Sequence, residues 1–200
     1  MVVASDLRWN LHTNAITAKA GRTLNLIRRN LYRCPLGIKS LAYTTLVRPL
    51  LEYASAAWDP YTGRNIKDIE MVQRRAARFV TKEYGYETSV SRLVSDLGWR
   101  TLQSRRQGTR LAMFHKAQSG WPGLPDIVSG LRRQSRPTRS SSDAACTYSR
   151  LQSRTDCYKF SFLPRTITHW NSLSAAVRGQ RSLASFRKSL ESCPVGASRY

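Results

Sequence analysis

Residues 64–83 read as a helix with two chemically opposite faces. Ile66, Ile69, Val72, Ala76, Phe79 and Val80 recur at helical spacing, while Lys67, Arg74, Arg75, Arg78 and Lys82 fall on the other side. Such a segment cannot serve as a strand, whose side chains change face at every residue. Nor is it stable alone: most helical stability comes from packing an apolar face against something else. The pattern therefore predicts a helical bundle, and the rest of the chain has to supply its other members.

It does so at both ends. A helix over about 13–33 carries Ile16, Ala20, Leu24, Ile27 and Leu31 within about 80° of arc, with Lys19, Arg22, Arg29 and Arg33 away from that stripe. A second, over about 37–58, is apolar on most sides (Leu41, Leu46, Leu50, Leu51, Tyr53, Ala57) and is expected to be the most buried, with a kink or break near Val47-Arg48 forced by Pro49. Helices near 88–97 and 99–119 follow, stopped by Gly98 and Gly120. Val2-Val3-Ala4 suggests the end of a short N-terminal strand. The alternation Tyr158-Lys159-Phe160-Ser161-Phe162 suggests a second strand, ahead of a helix with Pro164 in its first turn and a last short helix from Leu183 to Leu190. The expected organisation is a mainly α bundle over 1–120, a basic Ser/Arg-rich linker over 121–157, a small strand-plus-helix extension over 158–192 and a tail over 193–200.

Charge narrows the choice of partner. The chain has 33 basic and 12 acidic residues, a net charge of +21, and every third of it is basic. Of the basic residues 26 are Arg, whose planar fork suits phosphate oxygens better than a solvated ammonium does. Nucleic acid is the partner this favours, through counterion release. The basic face of 64–83 is the main candidate contact surface, with Lys67, Arg74, Arg75, Arg78 and Lys82, joined by Lys19, Arg22, Arg29 and Arg33 and by Arg105. A solvated surface is the bland alternative for each. Arg106 and Arg110 differ, because they project into the arc holding Trp99, Leu102, Met113 and Ala117. They are expected either to snorkel or to be paired and hydrogen-bonded inside the fold, with Asp59, Glu52 or Glu70 as candidate partners, and a structural role is favoured for both. Trp99 and Trp170 fall in core phase, and Trp121 is left as a candidate for base stacking.

Catalytic and cofactor readings find little support. His12, His115 and His169 are scattered, the cysteines (Cys34, Cys146, Cys157, Cys193) lack zinc spacing, and no Gly-rich phosphate loop appears. No two Asp residues are adjacent, so the clustered carboxylates of two-metal nucleotidyl transfer are missing. No cofactor is expected. With no signal peptide and no long apolar run, the expectation is an intracellular protein, nuclear or cytoplasmic, with no membrane partner.

Several stretches resemble the region after the catalytic core in reverse transcriptases of LINE-type (non-LTR, jockey-like) retrotransposons. These are Asp6-Leu7-Arg8-Trp9-Asn10; Leu46-Val47-Arg48-Pro49-Leu50-Leu51-Glu52-Tyr53-Ala54 through Trp58-Asp59-Pro60-Tyr61; and Val72-Gln73-Arg74-Arg75-Ala76-Ala77-Arg78-Phe79-Val80. Leu97-Gly98-Trp99 with Leu102-Gln103-Ser104-Arg105-Arg106, then Thr155 through Ile167 with Trp170-Asn171-Ser172-Leu173, continue the likeness in the same order. The resemblance implies a polymerase thumb and the start of a C-terminal extension, gripping RNA or an RNA–DNA hybrid, with double-stranded DNA as a further candidate. It also implies that the catalytic palm, a separate partner in the parent protein, precedes this region, so that the chain is a fragment without polymerase activity of its own. Two other readings stand beside it: a sequence-specific helix-turn-helix DNA-binding module built on 88–119, and a translated relic of a transposable element without a retained role.

Overall fold

A computed structural model describes residues 1–5, 8–121, 127–133 and 147–192. The described residues are mainly α-helical and contain no strand, only an isolated antiparallel bridge between Arg133 and Tyr148. The chain divides into two compact units, Met1–Arg106 and Gln107–Tyr200. Among the described residues no helix is long and apolar enough to cross a membrane.

The first unit is built on α1 (Asn10–Asn30) and α5 (Gly63–Thr81). Asn65, near the start of α5, donates to Asn10 Oδ1 at the start of α1 at 2.8 Å. Beyond the other ends, the Lys82 ammonium lies 5.6 Å from the Tyr32 ring. The two helices therefore run side by side in the same direction. Between them in sequence come α2 (Leu36–Ala42), a π-helical turn (Tyr43–Val47), α3 (Arg48–Glu52) and α4 (Ser55–Trp58). Ala20, Leu24 and Ile27 from α1 share one core with Tyr43, Val47, Leu51 and Trp58 and with Ile69, Val72, Ala76, Phe79 and Val80 of α5. The unit is completed by α6 (Val90–Asp96) and by the start of α7 (Leu102–Gln118), where Leu102 joins the core.

Local chemistry accounts for the boundaries. Pro49 has no N–H to give to the carbonyl four residues back, and the turn just before it is wide, with the Arg48 amide reaching Tyr43 O. Gly98 and Gly120 both sit at positive φ, 66° and 64°. After α6, Gly98 N–H bonds Ser95 O and Trp99 N–H bonds Val94 O; after α7, Gly120 and Trp121 repeat the pattern on Ala117 and Lys116. Both ends are complete Schellman caps. At the other end of α7 the Thr101 hydroxyl accepts from Ser104 N–H at 3.2 Å, and Glu70 accepts from Gln103 N–H at 2.7 Å.

The second unit packs Leu111 and Phe114 of α7 against α9 (Phe162–Asn171), α10 (Ala175–Arg178) and α11 (Leu183–Ser192) through Ile167, Trp170, Val177, Phe186 and Leu190. Tyr148 is threaded into this core by its backbone: its N–H donates to Asn171 Oδ1 at 3.1 Å, and its carbonyl accepts from Asn171 Nδ2 at 2.7 Å.

Three expectations need correction. Neither strand forms. At the N-terminus Val2 N–H donates to His12 Nδ1 at 3.3 Å, and the described residues offer no strand to pair with it. Tyr158–Phe162 is instead the junction of α8 (Asp156–Lys159) and α9, because two helix starts lie side by side there. The Thr155 hydroxyl accepts from Tyr158 N–H, and extended Ser161 precedes a first turn containing Pro164. The segment 37–58 is neither one helix nor the most buried. It breaks at Tyr53-Ala54, where Ala54 takes a left-handed φ of 52°, and Leu41, Leu46 and Tyr53 are exposed. The stripe Tyr43, Val47, Leu51 turns fully inward, and Lys39, Ser55 and Trp58 are buried as well. Of the basic linker expected over 121–157, residues 122–126 and 134–146 lie outside the described residues, as does the tail expected over 193–200.

Candidate nucleic-acid interface

Helix α5 places Lys67, Arg74 and Arg78 within roughly 40° of arc over about 17 Å of axis, at about 1.5 Å per residue. Val72, Ala76 and Phe79 are buried on the opposite side. Lys67, Arg74 and Arg75 are exposed and Arg78 is half-buried. On α1 and just beyond it, Lys19, Arg22, Arg29 and Arg33 are exposed. Among the described residues none of these eight cations forms an ion pair with a carboxylate. Arg74 and Arg78 stand in i,i+4 register on α5, and like charges so placed destabilise a helix by about 0.2–0.5 kcal/mol per pair. That pair works mildly against the fold, and an anion laid along it would relieve the cost.

The contact between Lys82 and Tyr32 draws the ends of the two rows together. Lys82 itself adopts φ 61°, a left-handed conformation unusual for a side-chain-bearing residue, and so caps α5 with its ammonium exposed. The site's one buried lysine is Lys39. It lies in i,i+4 register with Tyr43 and Val47, the signal that marks it as inward, and its ammonium sits 5.2 Å from the Phe79 ring. Burial, and then the nearby charge of Lys82, push its pKa below the ordinary lysine value, while Cys34 acts the other way.

Arg105 is placed differently from the other candidates. It grips Glu52 with two nitrogens, Nε to Oε1 and Nη2 to Oε2, the latter at 2.9 Å. Arg48 approaches the same carboxylate at 4.0 Å, and burial followed by the charge of Arg105 lowers the Arg48 pKa. Arg106 and Arg110 are both buried. Arg106 Nε donates to Asp59 Oδ1 at 3.0 Å, and Arg110 Nη2 donates to His169 Nδ1 at 2.8 Å. A guanidinium has no acceptor, so His169 receives that bond on an unprotonated nitrogen.

Sequence reasoning missed Gln73. On α5 it accepts from Tyr43 OH at 3.1 Å and donates to Arg100 O at 3.0 Å. Burial pushes the Tyr43 phenol well above its ordinary pKa, which keeps its proton in that bond. The signal was there: a lone polar residue between Val72 and Ala76 on the buried side. Trp99 stacks on Tyr43 with centroids 4.4 Å apart, and Trp58 and Trp170 are buried. Trp121 is half-exposed, with the Lys116 ammonium 4.8 Å from its ring. Among the described residues no three His, Cys, Asp or Glu side chains converge as metal ligands would. Comparison of the chain with family models, with curated proteins and with solved structures finds no match.

Proposed function

We propose that the chain binds RNA or RNA–DNA duplex through its phosphate backbone. In this reading it is the thumb-side fragment of a LINE-type reverse transcriptase, as the ordered sequence likenesses imply, and it holds nucleic acid without carrying out polymerisation. The observation that carries the binding is the row of cations on α5, single-signed and without carboxylate partners, beside the similar row on α1. Recognition of this kind reads helix shape and charge, not base identity. The helix-turn-helix alternative is less favoured. Its recognition helix would be α7, which buries Leu102, Arg106, Arg110, Leu111, Phe114 and His115 around much of its circumference and has little free face for a groove.

The test is duplex binding across a salt series. Each phosphate contact contributes about 0.9 to the slope of log affinity against log salt. Arg74→Ala with Arg78→Ala should flatten that slope by about two, equally for unrelated sequences. Arg105→Ala, removing a cation already held by Glu52, should leave it nearly unchanged. A slope untouched by the first pair, or strong preference for one base sequence, would refute the proposal.

A further inference from the structure

Within the first unit, α2 and α6 border an open trough of about 670 Å³, in the size range of ligand sites. Leu93 and Leu97 form its apolar floor, and Leu36 and Leu41 stand along it 51% and 61% exposed. Its charge runs against that of the whole protein. In a chain with 33 basic and 12 acidic residues, the lining carries two carboxylates, Glu83 and Asp96, and no lysine or arginine. No ion pair holds Glu83 among the described residues. Asp96 is shared with Arg92 at 3.8 Å, an exposed pair worth little in water.

The α2 wall is also low. A Cβ built on Gly37 would meet no atom within 4 Å, and Ser40 and Thr44 continue the small-residue line. The Thr44 hydroxyl is spent on Leu41 O at 2.9 Å. Small side chains let a second helix approach closely, and the remaining chemistry of the trough is leucine and carboxylate.

We infer that this trough is a docking site for an amphipathic basic helix of a partner protein. Leucine-type residues at i, i+3/i+4 and i+7 would lie over Leu36, Leu41, Leu93 and Leu97, and flanking Lys or Arg would reach Glu83 and Asp96. The lining itself holds no cation, although it adjoins the end of α5 at Thr81 and Glu83, on either side of Lys82. The assignment can be tested sharply because the protein's overall field disfavours a cationic ligand, while screening within about 8 Å at physiological salt leaves the local carboxylates to decide.

The experiment is fluorescence anisotropy of the full chain with two labelled helical peptides. They share one leucine register and differ only in carrying Lys/Arg or Glu beside it. The basic peptide should bind saturably and about tenfold more tightly than the acidic one. Glu83→Lys with Asp96→Lys should reverse the order, and Arg92→Ala should tighten the basic peptide. Gly37→Phe fills open space on a helix and should weaken the basic peptide about tenfold, with the thermal melt and duplex binding unchanged. Equal or tighter binding of the acidic peptide, or indifference to Gly37→Phe, overturns the proposal. So does concentration-dependent self-association abolished by Gly37→Phe, which would assign the trough to a second copy of the chain.

Discussion

Replacing Asp59 by asparagine removes a charge and almost no volume, and the structure makes that a severe change. The Arg106 side chain is 0% exposed and that of Asp59 4%, with Nε and Oδ1 3.0 Å apart. The other two guanidinium nitrogens, Nη1 and Nη2, are buried without hydrogen-bond partners. At an effective dielectric of about 20, opposite charges at this distance attract by about 5 kcal/mol, and loss of one partner from a buried pair typically costs about 3–5 kcal/mol. Asp59→Asn should therefore destabilise by about 3 kcal/mol or more, a large share of the roughly 5–15 kcal/mol that holds a domain folded. The assay is urea unfolding followed by far-UV circular dichroism. Arg106→Met alone should also be costly, since it removes the cation facing a buried carboxylate. The double change Asp59→Leu with Arg106→Met should recover at least about 2 kcal/mol of the summed losses, because the desolvation cost of both charges disappears together. If Asp59→Asn costs under about 1 kcal/mol, or the double variant loses the simple sum, the pair is not the buried, coupled unit described above.

Four further outcomes are expected. Ala54→Gly should raise stability by up to about 1 kcal/mol, since Ala54 sits at φ 52°, whereas Gly98→Ala should lower it by about 1 kcal/mol by straining the Schellman cap at φ 66°; thermal melts check both. Burial, then the N-terminal ammonium, lowers the His12 pKa below the ordinary value of 6.5. The unfolded chain then binds the proton more readily, so His12 contributes stability fully above about pH 6.5 and loses it as pH falls through the folded value; the acid limb should flatten in His12→Phe. Asn171→Ala should cost about 2 kcal/mol by removing two hydrogen bonds to the Tyr148 backbone, and hydrogen exchange at the Tyr148 amide should accelerate.

Much of the first unit was legible from periodicity. The stripe of α1, the two faces of α5 and the stops at Gly98 and Gly120 are local properties, set within one or two turns of chain. The inward phase of Arg106 and Arg110 was legible for the same reason, and Asp59 stood among the candidate partners, whereas His169 as the partner of Arg110 did not. Where the sequence misled, two local signals competed. Tyr158–Phe162 alternates like a strand, yet it lies between two helix caps, and a lone strand has no partner for its backbone groups. In 37–58 the apolar residues outnumber the space available, so the stripe Tyr43, Val47, Leu51 took the core and Leu41 and Leu46 were left outside.

The sequence by itself determined that this protein is a basic, mainly helical chain with a cationic helix face, because helical period and net charge are additive along the chain. Tertiary structure decided which charges are available. It locked Arg105 onto Glu52, a residue 53 positions away, and buried Lys39 against Phe79. It also gathered Glu83 and Asp96 around an open leucine trough. Those outcomes depend on which residues meet across long stretches of chain, and no local pattern encodes them.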